Sequence, residues 1–325
     1  MIRLPFLAIE EVFKTMDPYE IINFSIISKR TKGIAKQMSF YPRYAIELFI
    51  NETLEIRLHG TKNVVSFFYV MTSDEKMNGK IEEKQWGRFI TRREFKYDSV
   101  DEWKQLLKYV LEIFKKQTID ILTMTLTTFV EQNVSIIDFL KANEISVDEC
   151  NLYQRDKKIN VDKHTAYLLD NIKINSVLCN DVYINNDGFN PKIPKSLQEL
   201  RIYNSHWIGY EKLLEIDCKS VILEKNRISD KEWNMFLKKW IAMETNQNME
   251  YLELDNIQLD RFRDRVLHDI PHEMVDRGVK RVLKTRYNQT QETRGAVDIR
   301  RIDGKTATFF VYREFLTQRF AMSIH

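Results

Sequence analysis

The sequence predicts a mixed α/β protein. Three short N-terminal helices come first, then a small antiparallel sheet, then a long array of short parallel strands and helices closed by a C-terminal hairpin. Three observations carry this reading. Before residue 40, apolar residues recur at helical spacing and are punctuated by Asp17-Pro18 and Ser28. Between residues 51 and 100 the apolar period changes to two. From residue 119 onward a short apolar pattern starts at 119, 147, 174, 197, 218 and 249. At roughly 100–200 residues per domain, a chain of 325 residues suggests about two domains. The patterns divide it into residues 1–45, 46–118 and 119–325.

The first helix opens at Leu4-Pro5, where a proline in the first turn removes an N–H that needs no partner. Phe6, Ile9, Val12, Phe13 and Met16 form its apolar face. Asp17 caps a second helix with Pro18 at its first position, and Tyr19, Ile21, Ile22 and Phe24 follow. Ser28 caps a third, basic helix through Lys29, Arg30, Lys32 and Lys36. Three helices of this length bury too little to stand alone. Their apolar residues also spread around the circumference, so the unit needs a partner in the same chain or in another protein. Leu54, Ile56 and Leu58 then alternate with charges, 64–70 is a dense β-type run, and Asn78-Gly79 marks a turn before a strand-like stretch to Tyr97. Ser99 and Glu102 form a capping box for a helix whose single apolar face is Trp103, Leu106, Leu107, Val110, Leu111 and Phe114.

The array follows the leucine-rich template L-x-x-L-x-L-x-x-N-x-L. Cys218, Val221, Leu223, Asn226 and Ile228 fill its five key places. Met249, Leu252, Leu254, Ile257 and Leu259 fill four, with Ile in the Asn place. Leu197, Leu200, Ile202, Ser205 and Trp207 fit with Ser for Asn, and weaker copies begin at Ile174, Val147 and Ile119. Each copy supplies one short strand whose alternate residues point inward behind helices on the convex side. Ser229 and Glu232 form a capping box for one such helix, with Trp233, Phe236, Leu237, Trp240 and Ile241 as its buried face. At the end, Asp303-Gly304 turns a hairpin between Val297/Ile299 and Phe309/Val311.

Composition excludes several function classes. The chain has nine glycines, none two, four or five residues from another. This removes G-x-G, the P-loop and the G-x-S-x-G elbow, which need close glycines for backbone approach. Three scattered cysteines make neither a disulfide framework nor a CxxC pair. The N-terminus meets Glu10 and Glu11 before a secretion signal can form, and no apolar run spans a bilayer. A reducing compartment is expected, cytoplasmic and/or nuclear. His268 and His272 have the spacing of helical zinc ligands, but Pro271 lies between them. No catalytic residue, metal site or cofactor is expected. Residues 261–325 carry a net +6 and the remainder −3. The basic stretch Arg277, Lys280, Arg281, Lys284, Arg286 and Arg294, with Tyr287 inside it, is the best place for single-stranded RNA. It matches no RNA-binding module, so no nucleic-acid or membrane partner is expected.

Residues 4–32, LPFLAIEEVFKTMDPYEIINFSIISKRTK, resemble an F-box. Leu4-Pro5, Ile9, Val12, Met16-Asp17-Pro18, Ile21 and Ile27-Ser28-Lys29-Arg30 occupy the motif's places, with departures at Leu7 and Thr31. The resemblance implies docking on the Skp-type adaptor and, through it, the cullin of a cullin–RING (SCF) ubiquitin ligase. It implies Leu4, Pro5, Leu7, Ile9, Val12, Phe13, Ile27 and Ser28 as the adaptor-facing set. Residues 234–241, NMFLKKWI, followed by Met249-Glu-Tyr-Leu-Glu-Leu254, resemble the type 2 F-box-associated domain of nematode F-box families. That domain is held to recognise a protein substrate. Strand alternation makes Arg201, Tyr203, Glu224, Lys225, Glu253 and Asp255 the exposed candidates on the strand face or its C-terminal rim. The alternative is a leucine-rich-type protein- or RNA-binding scaffold whose N-terminal helices merely cap the array.

Overall fold

The punctuation in the first forty residues becomes three helices, α1 (Phe6–Thr15), α2 (Pro18–Ile26) and α3 (Lys29–Gln37). In this computed structural model the described residues are 5–38, 44–60, 65–97, 99–186, 188–195, 197–255, 257–286, 289–314 and 317–325, with only the backbone of Phe6 and Arg277. Asp17 accepts from the Glu20 N–H at 2.9 Å while the Asp17 N–H donates back to Glu20 at 2.8 Å. Ser28 and Thr31 make the same reciprocal pair at the start of α3, at 3.1 and 2.9 Å. Each pair satisfies two orphan donors of a helix start. The chain divides into two compact units, Met1–Arg155 with Asn171–Lys173, and Asp156–Asp170 with Ile174–His325.

The first unit adds β1 (Tyr44–Ile50), β2 (Leu54–Gly60), β3 (Val65–Thr72), β4 (Ile81–Trp86), β5 (Phe89–Tyr97), α4 (Val100–Phe114), β6 (Thr118–Thr125), α5 (Asn133–Ala142) and β7 (Ser146–Tyr153). Its strands run in the order β7-β6-β1-β2-β3-β5-β4. The hairpins β1–β2–β3 and β4–β5 are antiparallel. The expected small antiparallel sheet is nevertheless mixed, because β5 lies parallel to β3 and β6 parallel to β1. Alternation shows which face of a strand is buried; it does not show which strand lies beside it. The helix after Ser99 is α4, and it buries Trp103, Leu107, Val110, Leu111 and Phe114.

The second unit holds α6 (Asp162–Asn171), β8 (Ile174–Asp181), β9 (Glu199–Ile202), α7 (Tyr210–Glu215), β10 (Ser220–Leu223), α8 (Asp230–Ile241), β11 (Tyr251–Asp255) and α9 (Leu259–Val266). Four antiparallel strands follow, β12 (Glu273–Lys284), β13 (Thr290–Arg300), β14 (Thr306–Glu314) and β15 (Thr317–Ile324). Of the six template starts, Ile174 opens β8, Leu197, Cys218 and Met249 stand two residues before β9, β10 and β11, and Ile119 and Val147 are the second residues of β6 and β7. Strands β9, β10 and β11 are parallel and in register, with Leu200 beside Val221 and Val221 beside Leu252. Asn226 does the work of the template asparagine: it accepts from the Ile228 N–H at 2.8 Å and donates to the Ile208 carbonyl at 3.3 Å. Cys150, Cys179 and Cys218 are all buried, although Cys179 lies beside Arg201 and so on the face opposite Leu200, and burial pushes the Cys218 thiol up to about 12.

The terminal hairpin forms with its turn at Asp303-Gly304, Val297 opposite Phe309 and Gly304 at φ +91°. It is the middle of a four-stranded meander, because β12 joins one side and β15 pairs antiparallel with both β14 and β11. This adds a second buried cluster of Ile222, Tyr251, Val275, Leu283, Ala296, Phe310, Tyr312 and Ala321.

Candidate docking and recognition surfaces

In the first unit the partner demanded by the N-terminal helices is largely the chain itself. The Tyr19 hydroxyl on α2 lies 2.8 Å from the carbonyls of Phe68 and Arg92 and accepts the Glu94 N–H at 3.0 Å. Burial, then the nearby Glu94 charge, pushes its pKa well above the usual tyrosine range. Arg92 bridges Asp17 and Glu83 at 3.0 and 2.7 Å. Ser25 bonds Tyr109 on α4 at 2.9 Å, and Lys32 and Lys36 both reach Glu112. Tyr19→Phe removes the one O–H donor that the two carbonyls share and the acceptor of the Glu94 N–H, so it is expected to cost about 1–3 kcal/mol. Urea denaturation reads this, and an unchanged midpoint would show that the hydroxyl anchors nothing.

Seating the helices this way sorts the candidate adaptor-facing residues. Leu7 and Ile27 are 73% and 71% exposed, and Pro5 and Ser28 are also exposed. Val12 is half-buried. Ile9 and Phe13 are corrected: they are buried, with Phe13 edge-on to Phe24 at 5.3 Å, and offer no surface to a partner. Leu4 lies outside the described residues. Ile26, 62% exposed, joins the open aliphatics, and the sequence reading missed it because it is one position past the apolar face of α2.

In the second unit the structure divides the six recognition candidates. Arg201 is half-buried and paired with Glu199, and Tyr203 is half-buried. Glu253, expected to be exposed, is buried. Its carboxylate accepts from Arg286 Nε at 2.6 Å and from the hydroxyls of Tyr251 and Tyr312 at 2.6 and 2.8 Å. Glu224, also expected to be exposed, is half-buried and lies 3.0 Å from Arg286 and 2.6 Å from Arg319. The open strand face is therefore closed around β10 and β11, because the C-terminal strands add a second core there. Burial works against the charge of Arg286, but hydrogen bonding and attraction to Glu253 and then Glu224 outweigh it and hold the guanidinium charged.

Lys225 and Asp255 remain at the C-terminal rim and meet there. The Lys225 N–H donates to Asp255 at 2.9 Å, which holds Lys225 at φ +56°. They line a cleft of about 400 Å³ at the ends of β10 and β11, with Trp233 and Phe262 among its apolar lining. Clefts of this size at the carboxyl ends of parallel strands are common binding sites. Arg261 also lines it and shares Asp230 with Arg265, each at 3.6 Å. Periodicity found Trp233 as a helix-face residue. Arg286 stands out in the sequence only as part of the basic stretch, and nothing local points to Arg261 or Arg319.

The basic stretch 277–294 lies on β12 and β13, and four of its six cations are paired with carboxylates of the chain, while Arg294 is exposed. Lys280 pairs with Glu292, Arg281 with Asp298, Lys284 with Glu250 and Arg286 with Glu253. Tyr287 and the Arg277 side chain lie outside the described residues. Among the described residues no helix is long and apolar enough to cross a membrane. Among them, too, no three His, Cys, Asp or Glu side chains are grouped to hold a metal.

Comparison with known proteins matches two stretches of this arrangement. A family model described as the F-box domain matches residues 1–43, which include α1 to α3. One described as F-box associated matches residues 188–254, from before β9 into β11. The Skn-1 dependent zygotic transcript 15 protein of Caenorhabditis elegans is 20% identical over 277 residues, 79% of each chain. The E3 ubiquitin-protein ligase hecw-1 of the same organism is 20% identical over 329 residues, 90% of this chain but 25% of that protein. No solved structure matches significantly. Two family models therefore match in this order, the F-box domain on the three helices and the F-box-associated model on the parallel strands β9 to β11.

Proposed function

We propose that the chain is the substrate-recognition subunit of a cullin–RING (SCF-type) ubiquitin ligase, working in the cytoplasm and/or nucleus. Its F-box holds a Skp-type adaptor, and the second unit holds a protein target at the rim cleft of Lys225 and Asp255. The observation that carries the first half is the exposure of Leu7, Ile26 and Ile27 on helices whose other apolar residues are largely packed inside the unit. Aliphatic side chains left open on a rigid, capped support are what a docking partner would cover. Tethering a target beside the ubiquitin-loaded enzyme raises its effective concentration, so this chain needs no catalytic residue of its own.

The test is co-expression with a Skp-type adaptor followed by affinity capture and titration. Wild-type protein is expected to retain the adaptor. Leu7→Asp with Ile27→Asp is expected to weaken it by about 2 kcal/mol or more, roughly 30-fold. Both residues are exposed, so the variant should melt like wild type by circular dichroism. Failure of the wild-type chain to bind, or full binding by the folded variant, would overturn the reading.

A further inference from the structure

Strand β4 is the outer edge of the first unit's sheet. It pairs with β5 through a two-residue turn, Gly87-Arg88, with Trp86 opposite Phe89 and Gly87 at φ +59°. The pair closing a two-residue hairpin is hydrogen-bonded, and bonded pairs alternate along the ladder. At the other end the Lys80 carbonyl accepts the Phe95 N–H at 3.0 Å, in the same phase. Glu82, Lys84 and Trp86 therefore bond inward to β5, as does the Lys80 carbonyl, while the Lys80 N–H donates to the Met77 carbonyl at 2.9 Å. The N–H and C=O groups of Ile81, Glu83 and Gln85 face the open side. Exposed apolar side chains sit on this edge and its turn: Trp86 is 87% exposed, Ile81 57% and Phe89 43%. An open edge with exposed aromatic surface is a template for another strand.

We propose that this edge pairs antiparallel with the same edge of a second copy of the chain, about a twofold axis at Glu83. Such an axis runs perpendicular to the sheet, so outward-bonding residues must meet outward-bonding residues. Three registers satisfy that rule over the body of the strand. One sets Glu82 against Glu82 and another sets Lys84 against Lys84, and like charges directly opposite are destabilising. The third centres on Glu83 and places Glu82 opposite Lys84 of the second copy, twice over. It also places Ile81 opposite Gln85 and, one pair further, Trp86 opposite Lys80, a cation over an aromatic face. The two central Glu83 carboxylates are each already held by their own Arg92 at 2.7 Å. A guarded edge repels its own kind; here opposite charges two apart on one face make the edge self-complementary. The contact is short, so the dimer is concentration-dependent.

Sedimentation of the full chain across a concentration series, without adaptor or target, tests this independently of the ligase reading. Wild-type protein is expected to shift from monomer to dimer. Glu82→Lys alone or Lys84→Glu alone turns two attractions into two repulsions and is expected to weaken the dimer about tenfold or more. The double swap Glu82→Lys with Lys84→Glu is expected to restore it, because the pairing is reciprocal. A wild-type chain monomeric throughout, single variants that dimerise like wild type, or a double swap that stays monomeric would each overturn the proposal. Unchanged circular dichroism keeps misfolding from mimicking a loss.

Discussion

Replacing Arg286 with Met is expected to destabilise the second unit by about 3–5 kcal/mol, the cost of breaking a buried ion pair by removing one partner. Arg286 is 6% exposed and Glu253 1% by side chain, so neither charge can turn to water when the other is lost. Arg286 also contacts Glu224 at 3.0 Å and Glu314 at 3.5 Å. Without it, three carboxylates share Arg319 alone, which already lies 2.6 Å from Glu224. Glu253→Gln is expected to cost less, because Arg286 keeps Glu224 and Glu314 and the amide still accepts from Tyr251 or Tyr312. The double variant should cost less than the sum of the singles, since each single leaves a charge the other removes. Urea denaturation followed by circular dichroism measures all three. An Arg286→Met variant within about 0.5 kcal/mol of wild type would show that the cluster is a surface decoration, as exposed pairs are.

That cluster marks where the sequence stops being legible. Helix starts are local, and they were readable: Ser229 and Glu232 sit three apart and bond as a box at 3.3 and 2.8 Å. At Ser99 only half of the expected box forms, since Ser99 accepts from the Glu102 N–H at 3.4 Å without a return bond. Strand phase is readable at β10 and β11, where Val221 and Leu223, or Leu252 and Leu254, show the inward row within a few residues, but not at β8, where Leu178 rather than Val177 lies beside Leu200. Glu253 lies on the opposite row, where alternation predicts solvent. It is buried by Arg286, Tyr312 and Arg319, which lie 33 to 66 positions later and carry no shared pattern with β11. The same limit applies in the first unit. Ile9 and Phe13 have the motif spacing of docking residues. Whether they face a partner or their own sheet depends on Tyr19 reaching Phe68 and Arg92, contacts 49 and 73 residues apart.

Trp240→Ala is expected to cost about 3–5 kcal/mol, through lost burial and the cavity left behind. The side chain is fully buried on α8 and among the largest in the core. Trp240→Phe should cost far less, under about 1.5 kcal/mol, because it keeps a ring and removes a polar atom whose burial is unfavourable. The indole Nε1 has no hydrogen-bond partner among the described residues. The Arg301 guanidinium lies over the ring, 5.1 Å from its centroid, and is fixed by Asp303 at 3.0 and 2.8 Å. Hydrogen bonding to Arg301 holds the Asp303 carboxyl down at about 2, below the usual carboxylate value of 3.8. A depressed carboxylate stabilises the fold above its unfolded pKa, and that contribution disappears as pH falls through the folded one. Stability from this pair should therefore be complete above about pH 4 and fade toward pH 2. In Asp303→Asn that part of the acid sensitivity should vanish, while the cost of Trp240→Ala at neutral pH persists. Thermal melts of the four proteins at pH 7 and at pH 3 separate the two effects. Equal stability of Trp240→Ala and wild type at pH 7 would remove the indole from the core's essential packing.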